Sequence, residues 1–207
     1  KAVICKPSFA MNMVYPVNLS YDVRYHPYRL GSDSFSICFD NLVNDVQSLD
    51  NTVTVLASPD SPTGALYSID QLSTLAQSVA TSSVLLIDAT YALGVSMSYL
   101  KDLIAISISY PNVLMTTSLS KYPGLAGCRI GFISGSTETV SKLRMVRPMY
   151  EIGSLYSNIF NIALDHWDVC LDVIDKTKSC KLHLEQLLSR NGARCLQTFG
   201  NFTLFAP

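Results

Sequence analysis

Two spacings of apolar residues alternate along this chain. Strand-like apolar segments occur at 2–5, 22–26, 52–57, 83–88, 113–117 and 129–133. The segments 39–49, 69–79, 100–110 and 137–145 between and after them carry apolar residues at helical spacing. Strands that alternate with helices are typical of an α/β protein with a mostly parallel sheet and helices on both faces. Ser8 is predicted to cap a short helix that runs towards Tyr15.

The last quarter of the chain follows another pattern. Residues 159–188 are mostly helical in character, and 193–199 and 202–205 are strand-like. We therefore expect residues 1–165 to form a large domain, and 166–207 to form a linking helix and the start of a small α+β domain. Because both ends of the chain fall on strand-like segments, we expect an excerpt of a longer polypeptide.

The amino-acid composition limits the kinds of molecule that this protein is expected to bind. Of the 207 residues, 48% are hydrophobic and 15% are charged, and the formal net charge is -1. This balance excludes a nucleic-acid footprint and a polybasic membrane patch, so a small molecule is the expected partner. Lys101, Asp102 and Pro111 interrupt the longest apolar stretch, which excludes a membrane span there. The six cysteines form no C-x-x-C pair, which predicts reduced thiols in a cytoplasmic protein and no metal site.

Polar side chains follow several predicted strands, at the edge of the sheet where α/β proteins bind ligands. Asp88 directly follows four aliphatic residues and needs a cationic partner or a role as a helix cap. The loop after the 113–117 strand carries Ser118, Lys121 and Arg129. An amine can form an imine with an aldehyde, and a hydroxyl and a guanidinium can bind phosphate. A phosphorylated aldehyde fits this loop, although a single lysine in such a loop is more often a solvated charge.

Three motifs resemble those of the class I/II aminotransferases of fold type I, closest to the histidinol-phosphate aminotransferase branch. Ser118-x-Ser-Lys121 followed by Gly-Leu-Ala-Gly-x-Arg129-x-Gly is similar to the family's lysine motif. The segment 58–64, Ser-Pro-Asp-Ser-Pro-Thr-Gly, resembles Asn-Pro-x-Asn-Pro-Thr-Gly, with Ser58 and Ser61 replacing asparagines. Residues 88–91, Asp-Ala-Thr-Tyr, resemble Asp-x-x-Tyr, with an alanine where a glutamate is common.

The resemblance implies pyridoxal 5′-phosphate as the cofactor and gives each candidate residue a role. Lys121, Asp88 and Tyr91 are the expected catalytic residues. The family resemblance implies that Lys121 forms the imine and that Phe9 stacks on the cofactor ring. It implies that Asp88 pairs with the ring nitrogen, and that Tyr91 donates to the phenolic oxygen with Ser61 as a weak further contact. Ser118 and Arg129 are the implied phosphate-binding residues.

The implied reaction is transamination between an amino acid or amine and a 2-oxo acid, in a homodimer with shared active sites. The family's phosphate-binding turn would precede Lys1, and its substrate-carboxylate arginine would follow Pro207. Two alternatives remain: a decarboxylase of phosphorylated amino acids, and a degenerate domain without cofactor, which the serines at 58 and 61 favour. A dinucleotide-binding protein is disfavoured because no G-x-G-x-x-G follows the first strand.

Overall fold

The computed structural model describes residues 1–206 and contains ten strands. They are β1 (Ala2–Lys6), β2 (Val23–Pro27), β3 (Arg29–Leu30), β4 (Phe35–Ser36), β5 (Val53–Ala57), β6 (Val84–Asp88), β7 (Val113–Ser118), β8 (Gly131–Gly135), β9 (Arg194–Leu196) and β10 (Leu204–Ala206). Six form one sheet in the order β2-β1-β5-β6-β7-β8, parallel except for β8, which pairs antiparallel with β7. The mostly parallel sheet confirms the predicted fold class.

Eight α-helices connect and cover the strands. They are α1 (Ala10–Asn18), α2 (Phe39–Ser48), α3 (Ile69–Ser78), α4 (Ala92–Val95), α5 (Met97–Ser109), α6 (Thr137–Val146), α7 (Ser154–Asp165) and α8 (Trp167–Arg190). Serine side chains cap the N-termini of α3, α5 and α6, because their oxygens accept a backbone N–H of the first turn that has no partner inside the helix. The helical stretch predicted at 159–188 is two helices that meet at His166.

The predicted cap at Ser8 is wrong. Helix α1 begins after Phe9 and has no side-chain cap. The Ser8 hydroxyl instead donates to Asp60 Oδ1 at 2.7 Å, 52 positions along the chain. Phe9 occupies the N-cap position and Ser8 lies one residue before it, so the Ser8 oxygen accepts no N–H of the first turn, and its O–H donates to the buried carboxylate.

Different helices cover the two faces of the sheet. Helices α2, α3 and α5 cover the first over a core that includes Leu56, Leu85 and Ile87. Side chains alternate along a strand, so Val55 and Leu86 point to the opposite face. Helix α1 lies against that face across a groove of 190 Å³ lined by, among others, Met11, Val55 and Leu86. We call it the α1 face.

Residues 1–206 lack a candidate membrane span and a candidate metal-binding cluster. In that part of the chain no helix is both long and apolar enough to cross a bilayer. The same residues contain no group of three or more His, Cys, Asp or Glu side chains that could hold a metal ion.

Candidate active site

The carboxyl ends of three neighbouring strands place the predicted polar residues in a row. Asp88, the last residue of β6, pairs in register with Ala57 on one side and with Thr116 on the other. Paired residues of adjacent strands project to the same face, and strands are about 4.8 Å apart. Ser118 lies two residues beyond Thr116 and so points to the same face, roughly 7 Å further along β7. The fold therefore brings Asp88 and Ser118 together on the α1 face.

Only one of the two Asp88 carboxylate oxygens accepts hydrogen bonds within residues 1–206. Its Oδ1 accepts hydrogen bonds from the Thr90 backbone N–H at 2.9 Å and the Thr90 hydroxyl at 2.5 Å. Within residues 1–206, Oδ2 accepts no hydrogen bond and the carboxylate makes no ion pair, which excludes the pairing with Arg129 there. Thr90 fixes the orientation of the carboxylate and leaves Oδ2 able to accept from a ligand.

The segment between β7 and β8, residues 119–130, presents Lys121, and we call it the lysine loop. The Lys121 side chain is exposed and makes no ion pair within the described residues. Its neighbour Tyr122 is 2% exposed and packs with Leu93 and Ile174. Burial, with a smaller contribution from the nearby Tyr91, raises the pKa of Tyr122 to about 12. A buried ring thus anchors the loop while the preceding amine stays free.

Arg129, the penultimate residue of the lysine loop, has a left-handed conformation, with φ of 51°. Its guanidinium is exposed and donates one bond of 3.4 Å to the Ala126 carbonyl. The antiparallel register places Gly131, two residues later, opposite Ser118. The backbone of Arg129 therefore lies near Ser118, and most of its five donors are available for an anion.

Residues 58–64, between β5 and α3, form a buried turn that we call the proline loop. Ser58 is fully buried, its hydroxyl is 2.6 Å from the Tyr99 hydroxyl, and it accepts from the Tyr67 backbone N–H at 3.1 Å. The serine at the first asparagine position of the motif therefore holds the loop in place. Ser61, at the second asparagine position, is partly exposed.

Asp60 in the proline loop was missed by the sequence interpretation. It is fully buried, and its two oxygens accept from the Ser8 hydroxyl at 2.7 Å, the Thr63 hydroxyl at 2.6 Å and the Thr63 backbone N–H at 3.3 Å. Burial raises its pKa above 3.8, the three hydrogen bonds oppose that rise, and the Asp88 carboxylate adds to it. An acidic residue between the two prolines was the only sequence feature that distinguished it.

The C-terminal segment 197–203 also contacts the site, and the sequence did not indicate it. The Phe199 backbone N–H donates to the Gly64 carbonyl at 3.1 Å, and the Asn201 amide donates to the Lys121 carbonyl at 3.3 Å. The Phe202 ring meets the Tyr91 ring edge-on, with centroids 5.6 Å apart. This segment therefore touches the proline loop, the lysine loop and Tyr91.

Phe9, the remaining candidate, is the residue that precedes α1 and is 51% exposed. An exposed aromatic ring between β1 and α1 is available to stack on a flat ligand. Of the predicted residues, Asp88, Tyr91, Ser118, Lys121 and Arg129 lie on consecutive stretches of β6, β7 and their following loops, whereas Phe9 and Ser61 follow β1 and β5.

Comparison with known proteins agrees with this arrangement. The family model for aminotransferase class I and II matches residues 1–167, so the chain belongs to the class I and II aminotransferases. Histidinol-phosphate aminotransferase 1 of Trichormus variabilis is 32% identical over 165 residues, which cover 80% of this chain and 45% of that protein. The histidinol-phosphate aminotransferase of Neisseria meningitidis is 26% identical over 196 residues, 94% of this chain and 50% of that protein.

A crystal structure of histidinol-phosphate aminotransferase from Sinorhizobium meliloti in complex with pyridoxal-5'-phosphate has the same fold. Its TM-score is 0.87 at 21% sequence identity, and the match covers 99% of this chain and 55% of that one. The chain thus spans about half the length of the proteins that it resembles.

Proposed function

We propose that the chain belongs to a pyridoxal-phosphate-dependent aminotransferase similar to histidinol-phosphate aminotransferase, which transfers an amino group between an amino acid or amine and a 2-oxo acid. The main support is a pair of free groups within the family's own motifs: the exposed amine of Lys121 and the open Oδ2 of Asp88. Neither is neutralised by another side chain of residues 1–206, so a ligand that is cationic at one end and electrophilic at the other fits both.

The ring of the cofactor fits the residues on the α1 face. Its protonated nitrogen is a cation for Asp88 Oδ2, and its flat face suits the exposed ring of Phe9. Tyr91 follows Asp88 by three residues, and its hydroxyl is the proposed donor to the phenolic oxygen, with Ser61 as a weaker contact. When bound, the cofactor supplies an electron sink for the substrate carbanion.

The phosphate of the cofactor fits the two ends of the lysine loop. Ser118 directly precedes the loop, Arg129 is its penultimate residue, and the β7–β8 register keeps their backbones close. A guanidinium binds two phosphate oxygens at once, and a hydroxyl adds one further donor. We propose these two residues as the part of the phosphate site that this chain contains.

Three side chains carry the proposed chemistry. The Asp88 carboxylate keeps the proton on the ring nitrogen by attraction between opposite charges, and Thr90 keeps the carboxylate in place. Lys121 Nζ would hold the cofactor through its aldehyde carbon, with release of water, and after the substrate amine has taken its place it would serve as the base for the substrate's α-proton. The Tyr91 hydroxyl donates to the phenolic oxygen, and its contact with Phe202 positions the ring.

Three further properties are proposals. We propose a domain boundary at residue 166, since α7 ends there and the β9–β10 sheet is separate from the main one. A homodimer with shared sites is supported by exposed apolar residues around α7, such as Met149 at 83% and Leu155 at 64%. A cytoplasmic location is supported by the six cysteines, all free thiols.

The two alternatives receive no support from the relatives, which are named as aminotransferases. Ser58, which favoured a degenerate domain, makes two hydrogen bonds that hold the proline loop in its buried position. The substitution of asparagine by serine at that position is therefore compatible with a working site.

The test compares the variant Lys121→Ala with the control variant Lys101→Ala in the full-length protein. Lys101 is an exposed lysine on α5. Histidinol phosphate serves as amino donor with a series of 2-oxo acids as acceptors, and both keto product and carbon dioxide are measured. We expect the 121 variant to lose the visible absorbance of the bound cofactor and at least roughly 10³-fold in rate, and the 101 variant to keep both. A wild-type protein that stays colourless with added cofactor contradicts the proposal, and release of carbon dioxide identifies a decarboxylase.

A further inference from the structure

Asp60 is a buried carboxylate to which neither the family motif nor the proposed chemistry assigns a task. It is fully buried within residues 1–206 and has no cationic partner there. A buried charge without a counter-ion is costly, so its hydrogen bonds must compensate. Three donors do so, two from Thr63 in its own loop and one from Ser8 in the segment between β1 and α1.

The bond to Ser8 is the informative one. The Thr63 bonds close the proline loop upon itself, together with the Asp60 N–H to the Ala65 carbonyl at 2.8 Å. They would fix the loop without Ser8. The Ser8 bond joins two separate segments, and the Ser8 oxygen does not cap α1. The Asn12 amide donates to the same hydroxyl at 3.3 Å and ties it to α1.

Each partner of this bond directly precedes a proposed cofactor contact. Ser8 precedes Phe9, and Asp60 precedes Ser61. Ser8 is 7% exposed and Phe9 is 51% exposed, so the buried residue holds the backbone while its neighbour faces outwards. A tether between residues 8 and 60 therefore sets the separation between the Phe9 ring and the Ser61 hydroxyl.

We propose that Asp60 is a positioning residue that ties the segment after β1 to the proline loop through Ser8, and so fixes the spacing between the aromatic and the hydroxyl contact of the cofactor ring. This inference rests on the proposed function. It assigns Asp60 no contact with the cofactor or the substrate. Preorganisation of this kind strengthens ligand binding because the cost of ordering the contacts is met during folding.

The test uses the full-length protein and measures the dissociation constant for pyridoxal 5′-phosphate, the visible circular dichroism of the bound cofactor and the thermal unfolding of the apo form. The variants are Asp60→Ala, Asp60→Asn and Ser8→Ala. The control is Ser107→Ala, which removes a fully buried hydroxyl on α5 that bonds to Ile104 and to Ser134 in the edge strand β8.

We expect Asp60→Ala to weaken cofactor binding roughly tenfold and to reduce the circular dichroism signal, since a bond to a charged group is among the stronger ones. Ser8→Ala, which leaves the Thr63 bonds intact, should weaken binding several-fold. The isosteric Asp60→Asn should restore most of the affinity, because its amide oxygen can accept from Thr63 and its amide N–H can donate to the Ser8 hydroxyl, which then acts as the acceptor. Ser107→Ala should lower apo stability and leave the affinity unchanged.

Three outcomes overturn the inference while the proposed function stands: wild-type affinity in Asp60→Ala, an equal loss in Asp60→Asn, or an equal loss in Ser107→Ala. An equal loss of affinity in Asp60→Asn would show that the charge of Asp60 matters rather than its hydrogen bond to Ser8. An equal loss in Ser107→Ala would show that the affinity falls because the protein is generally destabilised. If the wild-type protein binds no cofactor, the proposed function itself has failed.

Discussion

The proline loop and the lysine loop follow strands of the same sheet but are held in different ways. In the proline loop, Ser58, Asp60 and Thr63 are completely buried, and each makes hydrogen bonds with its side chain. In the lysine loop, Lys121 and Arg129 are exposed, and a buried ring at Tyr122 supplies the anchor.

The difference matches the proposed roles of the two loops. A group that only holds the cofactor ring works best when it is rigid, and internal hydrogen bonds at full burial provide rigidity. The role proposed for Lys121, first as a nucleophile and then as a base, requires an amine that is free to move. Within residues 1–206 the Lys121 amine makes no ion pair, and the backbone carbonyl of Lys121 accepts from the Asn201 amide. The proline loop is therefore held by buried hydrogen-bonded side chains, whereas the proposed nucleophile in the lysine loop is exposed.

The largest effect is expected from a substitution that removes the anchor of the lysine loop. Tyr122→Ala deletes a ring that is 2% exposed and packs against Gly94, where an added Cβ would lie 2.2 Å from the ring. We expect a loss of about 3–5 kcal/mol in the free energy of unfolding, measured by urea denaturation, because a large cavity remains. Tyr122→Phe keeps the ring and should cost less than about 1 kcal/mol. A small loss in the alanine variant would show that the loop has another anchor.

A matched glycine pair compares the two loops directly. Gly64 in the proline loop has φ of 70°, and an added Cβ would lie 2.4 Å from Thr198 Cβ. Gly124 in the lysine loop has φ of 107° with nothing within 4 Å of the added atom. We expect Gly64→Ala to cost about 2–4 kcal/mol and Gly124→Ala about 1 kcal/mol in the same denaturation experiment, since the second bears only backbone strain. Equal costs would contradict the contrast in packing.

The smallest expected effect is a pH dependence specific to the proline loop. Burial raises the pKa of Asp60 above 3.8, so between that value and its folded-state pKa the folded protein binds more protons than the unfolded chain. Asp60 therefore contributes stability that is fully present below pH 3.8 and is lost as the pH rises through its folded-state pKa.

Asn cannot titrate, so the stability of wild type relative to Asp60→Asn should fall as the pH rises from below 3.8 towards neutral. Unfolding free energies of both proteins over that range measure it. A stability difference that does not change with pH would mean that the hydrogen bonds cancel the effect of burial on the pKa, and one that rises would mean that they outweigh it.

The sequence predicted most secondary structure well, because apolar spacing reflects which face of each element is buried. The predicted strand at 52–57 is β5 at Val53–Ala57, and the predicted helix at 69–79 is α3 at Ile69–Ser78. The prediction at Ser8 failed because α1 begins after Phe9, one residue later than a cap at Ser8 requires, and the Ser8 hydroxyl lies beside a carboxylate 52 residues away. Local patterns cannot include acceptors that only the folded chain brings near.

The sequence alone determined the alternation of strands and helices and the residue types in the three motifs, because periodicity and motif spacing depend only on neighbours along the chain. Tertiary structure decided which groups are available. The strand register placed Asp88 and Ser118 on one face, Thr90 left one carboxylate oxygen of Asp88 open, and the segment 197–203 crossed to three parts of the site. Such availability depends on contacts between residues far apart in sequence, and these exist only after the chain has folded.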